Sequence, residues 1–267
     1  MNKDIFFQYL TKFFLLFGQE YCYAIIIILG FTIFRRQLFA QAICVLLFTT
    51  ILNILLKYTF EIPLNPALNI KGFAFPSGHM SSGVVFYGWF FANIRYSLLR
   101  IIIVVILTGM GFSLIYKGYH YPVDIIASIT IGIMVIAVIY SVTKEEIIQK
   151  YPYIMFGAFL WLLTVPMVAY LKIIDVSCLA WVWTVFWGLL GFTISGGLFY
   201  KYFDFPQSKL NRFINLAIIV ALVALIEYIN YLFKQYLGYK FYLTWFLIGF
   251  SFPLSLRLCH IHIRSTY

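Results

Sequence analysis

Two short stretches hold the residues that could do chemistry. In FAFPSGHM, residues 73–80, Ser77, Gly78 and His79 stand at the mouth of an apolar run. In KGYHYPVD, residues 117–124, His120 and Asp124 lie four apart with Pro122 between them. Small residues at a helix start leave backbone N–H groups open, and a helix N-terminus favours an anion. Proline suits the first helical turn, so a helix is expected to begin near Pro122. Positions four apart share a helix face, so Asp124 can accept a hydrogen bond from one nitrogen of His120. That fixes the tautomer and leaves the other nitrogen free to attack. These ingredients suit phosphoryl transfer. One histidine is the nucleophile and the other protonates a leaving oxygen, while lysines and backbone N–H groups hold the equatorial oxygens. No carboxylate cluster resembles a two-metal site, so a metal-independent reaction with no cofactor is expected.

The elements that must position these residues are membrane helices. Of 267 residues, 63% are hydrophobic and 10% charged, far too apolar for a soluble domain. The fold class is all-α, a polytopic helical bundle of about eight to nine spans. Spans are expected at 21–34, 37–56, 80–94, 98–115, 122–142, 153–171, 178–199, 213–233 and 241–256. Residues 5–17 extend the first span or lie beside it as an amphipathic helix at the interface. Two crossings separate the histidine loops, so both face the same side of the membrane. The arginines, Arg35 and Arg36 through Arg257 and Arg264, all fall on the opposite side, whereas the histidine side carries lysines such as Lys57, Lys71 and Lys117. Positive residues mark the cytoplasmic side, which puts the histidines at the periplasmic or exterior face of a bacterial cytoplasmic membrane. The net charge of +10 is scattered over short loops and does not point to nucleic acid. Membrane lipids are the expected partners.

The polar stretch TKEEIIQKYP, 143–152, divides the chain into residues 1–145, a membrane core that holds both histidine loops, and 146–267, a C-terminal transmembrane extension. Cys22, Cys44, Cys178 and Cys259 form no CxxC pair and read as small buried hydrophobes. Glu227 is a carboxylate inside a span, by default a functional candidate, with a hydrogen bond to Asn230 or a neighbouring helix as its structural role. His260 and His262, near the C-terminus, carry no metal reading.

With those residues in place, residues 20–142 resemble the type 2 phosphatidic acid phosphatase superfamily, whose motifs run K-x6-R-P, P-S-G-H and S-R-x5-H-x3-D. The second is intact as Pro76-Ser77-Gly78-His79, and the third keeps Ser113, Tyr116, Gly118, His120, Pro122 and Asp124. The resemblance implies that His120 becomes a phosphohistidine, that Asp124 orients it and that His79 is the leaving-group acid. It implies that Ser77, Gly78 and Lys57, which matches the first-motif lysine, bind phosphate. The first and third motifs lack their arginines, since Leu64-Asn65 stands for Arg-Pro and Leu114 follows Ser113. Lys71 and Lys117 are the candidate replacements, although a lysine is a point charge and not a bidentate fork. Family substrates include phosphatidic acid, phosphatidylglycerol phosphate, polyprenyl pyrophosphate and lipid A phosphate. The long C-terminal extension is also similar to the glucose-6-phosphatase branch, which keeps a sugar phosphate open. The missing arginines leave two further alternatives, a non-catalytic lipid-phosphate binder and a lipid phosphotransferase.

Overall fold

The computed structural model describes residues 3–69, 72–142, 152–173, 179–203, 208–233 and 241–265. Lys71, Cys178 and residues 143–151 of the polar linker lie outside the described residues. The described chain is all-α. Its helices are α1 (Lys3–Leu16), α2 (Glu20–Ile33), α3 (Arg36–Phe60), α4 (Gly78–Asn93), α5 (Ser97–Tyr116), α6 (Pro122–Val142), α7 (Pro152–Ile173), α8 (Leu179–Leu198), α9 (Lys209–Phe233) and α10 (Phe241–Ser265). Each expected span meets one helix from α2 to α10. Among the described residues the extended pairing is a single bridge between Pro63 and Phe73.

By length and apolarity alone, five of these helices can cross a membrane: α3, α5, α6, α9 and α10. A sixth span results if α1 and α2, bent by 50° at a short break, count as one. The sequence expectation of eight to nine spans is therefore approximate in count. At a rise of about 1.5 Å per residue, α4 reaches only about 24 Å, short of the roughly 30 Å hydrocarbon core. The membrane character is carried by outward faces such as Ile101, Val104 and Val105 of α5 and Ile126, Ile133 and Val138 of α6, all exposed. Apolar side chains in such positions find their solvent in lipid.

The chain forms two compact units. Residues 1–26 and 52–141 make the first, and residues 27–51 and 142–267 the second. In the first, α4 is the core helix, burying Met80, Val85, Phe86 and Trp89. Glycines let it approach α6, since a Cβ on Gly132 would fall 2.6 Å from Val84 and one on Gly88 2.6 Å from Ile136. Helix α1 lies on α5, with Phe7 stacked on Tyr116 at 5.9 Å. The bend after α1 is tied down by Tyr87, whose hydroxyl donates to the Phe17 carbonyl at 2.9 Å. In the second unit α8 and α10 touch backbone to backbone. A Cβ on Gly191 would lie 2.1 Å from the Phe246 carbonyl oxygen, and one on Gly249 2.2 Å from that of Gly188. Close approach at small residues is the usual way apolar helices gain packing energy where lipid offers no hydrophobic drive. Arg36 closes one end of this unit by donating to the carbonyls of Tyr202 and Phe203 at 3.2 and 3.0 Å.

Candidate active site

The site is assembled from the end of α3, the loop to α4, the α5–α6 turn and the first turn of α6, all within the first unit. Helix α3 continues to Phe60, so Lys57 stands in its last turn. The loop that follows folds back on itself. Leu64 N–H donates to Gly72 and Ala74 N–H to Ile62, at 3.1 and 2.8 Å. Two edge-to-face ring pairs, Tyr58 with Phe73 and Phe60 with Phe75, hold it against α3. The Lys57 ammonium donates to the carbonyls of Phe73 and Ala74 just ahead of Pro76-Ser77-Gly78-His79.

Sequence alone put Gly78 and His79 before the helix; they belong to its first turn. Ser77 is the N-cap, with extended backbone, and its side chain makes no capping bond. Its hydroxyl is fully buried and has no hydrogen-bond partner among the described residues. A buried hydroxyl left unpaired is costly, which makes this oxygen a candidate to bind a ligand. Gly78 has no Cβ where one would lie 3.3 Å from Asn53 Oδ1 and 4.0 Å from Lys57 Cε. Its backbone is thereby left open in front of the lysine. His79 is exposed, and its ring edge borders the bend after α1, where a Cβ on Gly18 would sit 3.5 Å from its Cδ2.

The second loop starts from the end of α5. Gly118 has φ +69°, the left-handed conformation that glycine adopts without penalty. Gly118 N–H donates to Ile115 and Tyr119 N–H to Leu114, the two bonds of a Schellman cap. The cap delivers His120 directly after the helix. Pro122 then opens α6, and the Asp124 carboxylate accepts the Tyr121 N–H at 2.9 Å. The same oxygen, Oδ2, lies 3.4 Å from His120 Nδ1. That is the outer edge of hydrogen-bond length, and the alignment leaves Nδ1 without a formed bond. Asp124 thus caps the start of α6 through the Tyr121 N–H and stands beside His120 Nδ1. Both side chains are buried, at 8% and 1% exposure, so the pair acts in a low-dielectric setting.

Burial and the nearby Lys57 ammonium push His120 down to about 4, against the opposing pull of Asp124, and His79 adds to the lowering. His120 is therefore a neutral imidazole at pH 7, with Nδ1 facing the carboxylate. Lys57 and His79 both lie close enough for their charges to reach it. Lys57, Ser77, Gly78, His79, His120 and Asp124 therefore converge. Lys117 sits half-buried in the α5–α6 turn, where its backbone N–H donates to the Ser113 carbonyl at 3.0 Å. His260 belongs to the second unit, its ring 5.3 Å from that of Tyr202. Among the described residues no group of three or more His, Cys, Asp or Glu could hold a metal ion.

Three residues that match no motif residue brace the site. Asn53, one turn before Lys57 on α3, donates to Ser81 Oγ at 3.1 Å. Asn65, at the place of the family proline, donates to the Gly118 carbonyl at 3.3 Å and accepts the Ala67 N–H at 3.1 Å. Ser128, one turn after Asp124, donates from its hydroxyl to the carbonyls of Asp124 at 2.7 Å and Ser77 at 3.0 Å. The only hint of Asn53 and Ser128 in the sequence is a polar residue four positions from a motif residue in an apolar helix. Asn65 gave none.

No curated protein and no solved structure matches the chain. Residues 38–148 match the family model of the PAP2 superfamily, generally phosphatase hydrolases acting on phosphate esters. That segment contains all three motif regions, and with its long apolar helices this chain is a membrane protein whose residues 38–148 are similar to the PAP2 superfamily.

Proposed function

We propose that this protein hydrolyses a lipid phosphate or pyrophosphate through a phosphohistidine on His120, at the extracytoplasmic face of the membrane. The observation that carries the reading is the convergence of a neutral His120 backed by Asp124 with Lys57, His79 and an unpaired buried Ser77 hydroxyl. His120 Nε2 attacks phosphorus and the bond from phosphorus to the leaving oxygen breaks. His79, in its protonated form, which burial and the Lys57 charge disfavour by lowering its pKa and so make a stronger acid, gives that oxygen its proton. Water then attacks the phosphohistidine, losing its proton to the now neutral His79, and releases inorganic phosphate and free His120. Lys57, the Ser77 hydroxyl and the N–H groups at the start of α4 hold the phosphate oxygens as charge develops. Asp124 stabilises the positive ring during the transfer.

A lipid substrate fits the rim. Phe60, Ile62, Tyr116, Tyr119, Tyr121 and Val123 are all exposed around the two loops. Such a belt belongs at a membrane interface, where a headgroup meets the loops and its chains remain in lipid. The test is phosphate release by purified protein in detergent across a panel of lipid phosphates and a sugar phosphate, with EDTA present throughout. Release by the native protein, lost in His120→Ala, supports the reading. Release that survives His120→Ala, or that EDTA abolishes, overturns the mechanism. Substrate binding without release favours a binder, and release that needs an acceptor lipid favours a phosphotransferase.

A further inference from the structure

The two histidines come from segments far apart in sequence, and their relative placement decides whether His120 meets a phosphate held beside His79. Reacting atoms must approach to about 3–3.5 Å in line, so a shift of about 1 Å between the loops is enough to slow the chemistry about 100-fold. Two bonds join the segments at this level. Ser77 N–H points at the Asp124 carbonyl across 3.5 Å, a long contact. The Ser128 hydroxyl is 3.0 Å from the Ser77 carbonyl, 51 residues away in sequence, and 2.7 Å from that of Asp124. Ser128 is fully buried. A serine hydroxyl has one proton, so it is shared between two carbonyls, one at the N-cap of α4 and one in the first turn of α6. The Ser77 carbonyl also accepts the Ser81 N–H at 2.9 Å, so helix α4 does not depend on Ser128 to begin.

We infer that Ser128 is a positioning residue for phosphoryl transfer. Its hydroxyl fastens the phosphate-holding start of α4 to the start of α6, and so sets the approach of His120 to phosphorus. The inference rests on the proposed phosphohistidine chemistry. It separates two properties that a purely structural serine would move together. The phosphate cradle is made by Lys57, Ser77 and Gly78 on α3 and α4, so binding survives loss of the clasp. The rate of attack does not, because the nucleophile is on the other side of it.

The test compares Ser128→Ala and Ser128→Thr with the native protein. Single-turnover phosphorylation of His120 is measured by rapid quench with the lipid phosphate that the native protein hydrolyses fastest. Affinity for inorganic phosphate is measured by calorimetry, and amide hydrogen exchange is followed over residues 75–82 and 120–128. Ser128→Ala is expected to phosphorylate about 10-fold more slowly with phosphate affinity within about 2-fold, and Ser128→Thr, which keeps the hydroxyl, to recover most of the rate. Exchange in both segments accelerates in Ser128→Ala and stays near native elsewhere. Native phosphorylation rate and exchange in Ser128→Ala overturn the inference. So does an equal fall in phosphorylation and phosphate affinity, or a general rise in exchange, either of which makes Ser128 a folding residue. If the native protein forms no phosphohistidine, the proposed function has failed, whereas exchange still reports whether the clasp exists.

Discussion

The two units of this chain spend their buried polar groups differently. In the first, buried or half-buried side chains reach across the sequence: Asn53 to Ser81, Asn65 to Gly118 and Ser128 to Ser77, over 28, 53 and 51 residues. In the second, most buried hydroxyls bond back to their own helix. Thr164 donates to Trp161, Thr193 to Leu189, Ser251 to Ile248 and Ser255 to Phe252. Ser195 instead donates to Phe250 on a neighbouring helix. Back-bonding satisfies a hydroxyl cheaply and leaves the helix surface free for close packing. Bonds between distant segments fix loop geometry, which packing alone does not. The first pattern is that of a site and the second that of a packed bundle.

The comparison breaks if the two kinds of residue do not behave differently when changed. The largest expected effect is at Asp124. Asp124→Asn keeps an acceptor for the Tyr121 N–H but loses the charge that supports a positive His120. Phosphate release is expected to fall about 100-fold or more, with little change in thermal stability. A fall of less than about 3-fold would reduce Asp124 to a helix cap.

Lys57 comes next. Lys57→Met removes one of the two main causes of the lowered His120 pKa and is expected to cut kcat/KM about 10- to 100-fold. It should also move the acid limb of kcat/KM upward, toward the ordinary histidine value of 6.5. The native limb should extend down toward about pH 4, because the free base of His120 persists to that value. Stability follows the same shift. Between pH 6.5 and about 4 the unfolded chain protonates His120 and the folded chain resists, so this group's contribution falls as the pH drops through that window. A pH–rate profile and acid melts of native protein and Lys57→Met measure both. An acid limb that does not move in the variant contradicts the placement of Lys57.

Smaller still is Asn65→Ala, which removes the brace on the Gly118 carbonyl and is expected to lower activity about 3-fold, as one neutral hydrogen bond would. The smallest effect on chemistry is predicted in the second unit. Gly191→Ala places a Cβ against the Phe246 backbone and should cost about 1–3 kcal/mol of stability. Activity per folded molecule should stay within about 2-fold of native. A detergent melt with a parallel turnover assay separates the two, and a large loss of turnover without loss of stability would give the second unit a part in the chemistry.

Much of the fold was legible because apolar runs announce membrane helices. The expected span 122–142 coincides with α6, and 98–115 falls within α5 by one residue at each end. The expected end of the second span at residue 56 fell short, because Lys57 and the residues to Phe60 extend the helix with more polar side chains. The bend between α1 and α2 was not legible, since it depends on Tyr87 reaching back to Phe17 over 70 residues. The histidines were readable as a pair because two expected spans separate their segments. Their braces were not. A serine or asparagine in an apolar helix looks the same whether it bonds its own turn, as Ser251 does, or another segment, as Ser128 does.

Whether His120 carries the phosphate is the central claim, and a rapid-quench experiment addresses it directly. Native protein is mixed with phosphorus-32-labelled lipid phosphate in detergent and EDTA, quenched in base, digested and sequenced by mass spectrometry. Acid-labile, base-stable label on the peptide bearing His120, formed at least as fast as turnover and absent from His120→Ala, is the predicted result. Turnover with no label on His120, or label on another residue, would contradict the account.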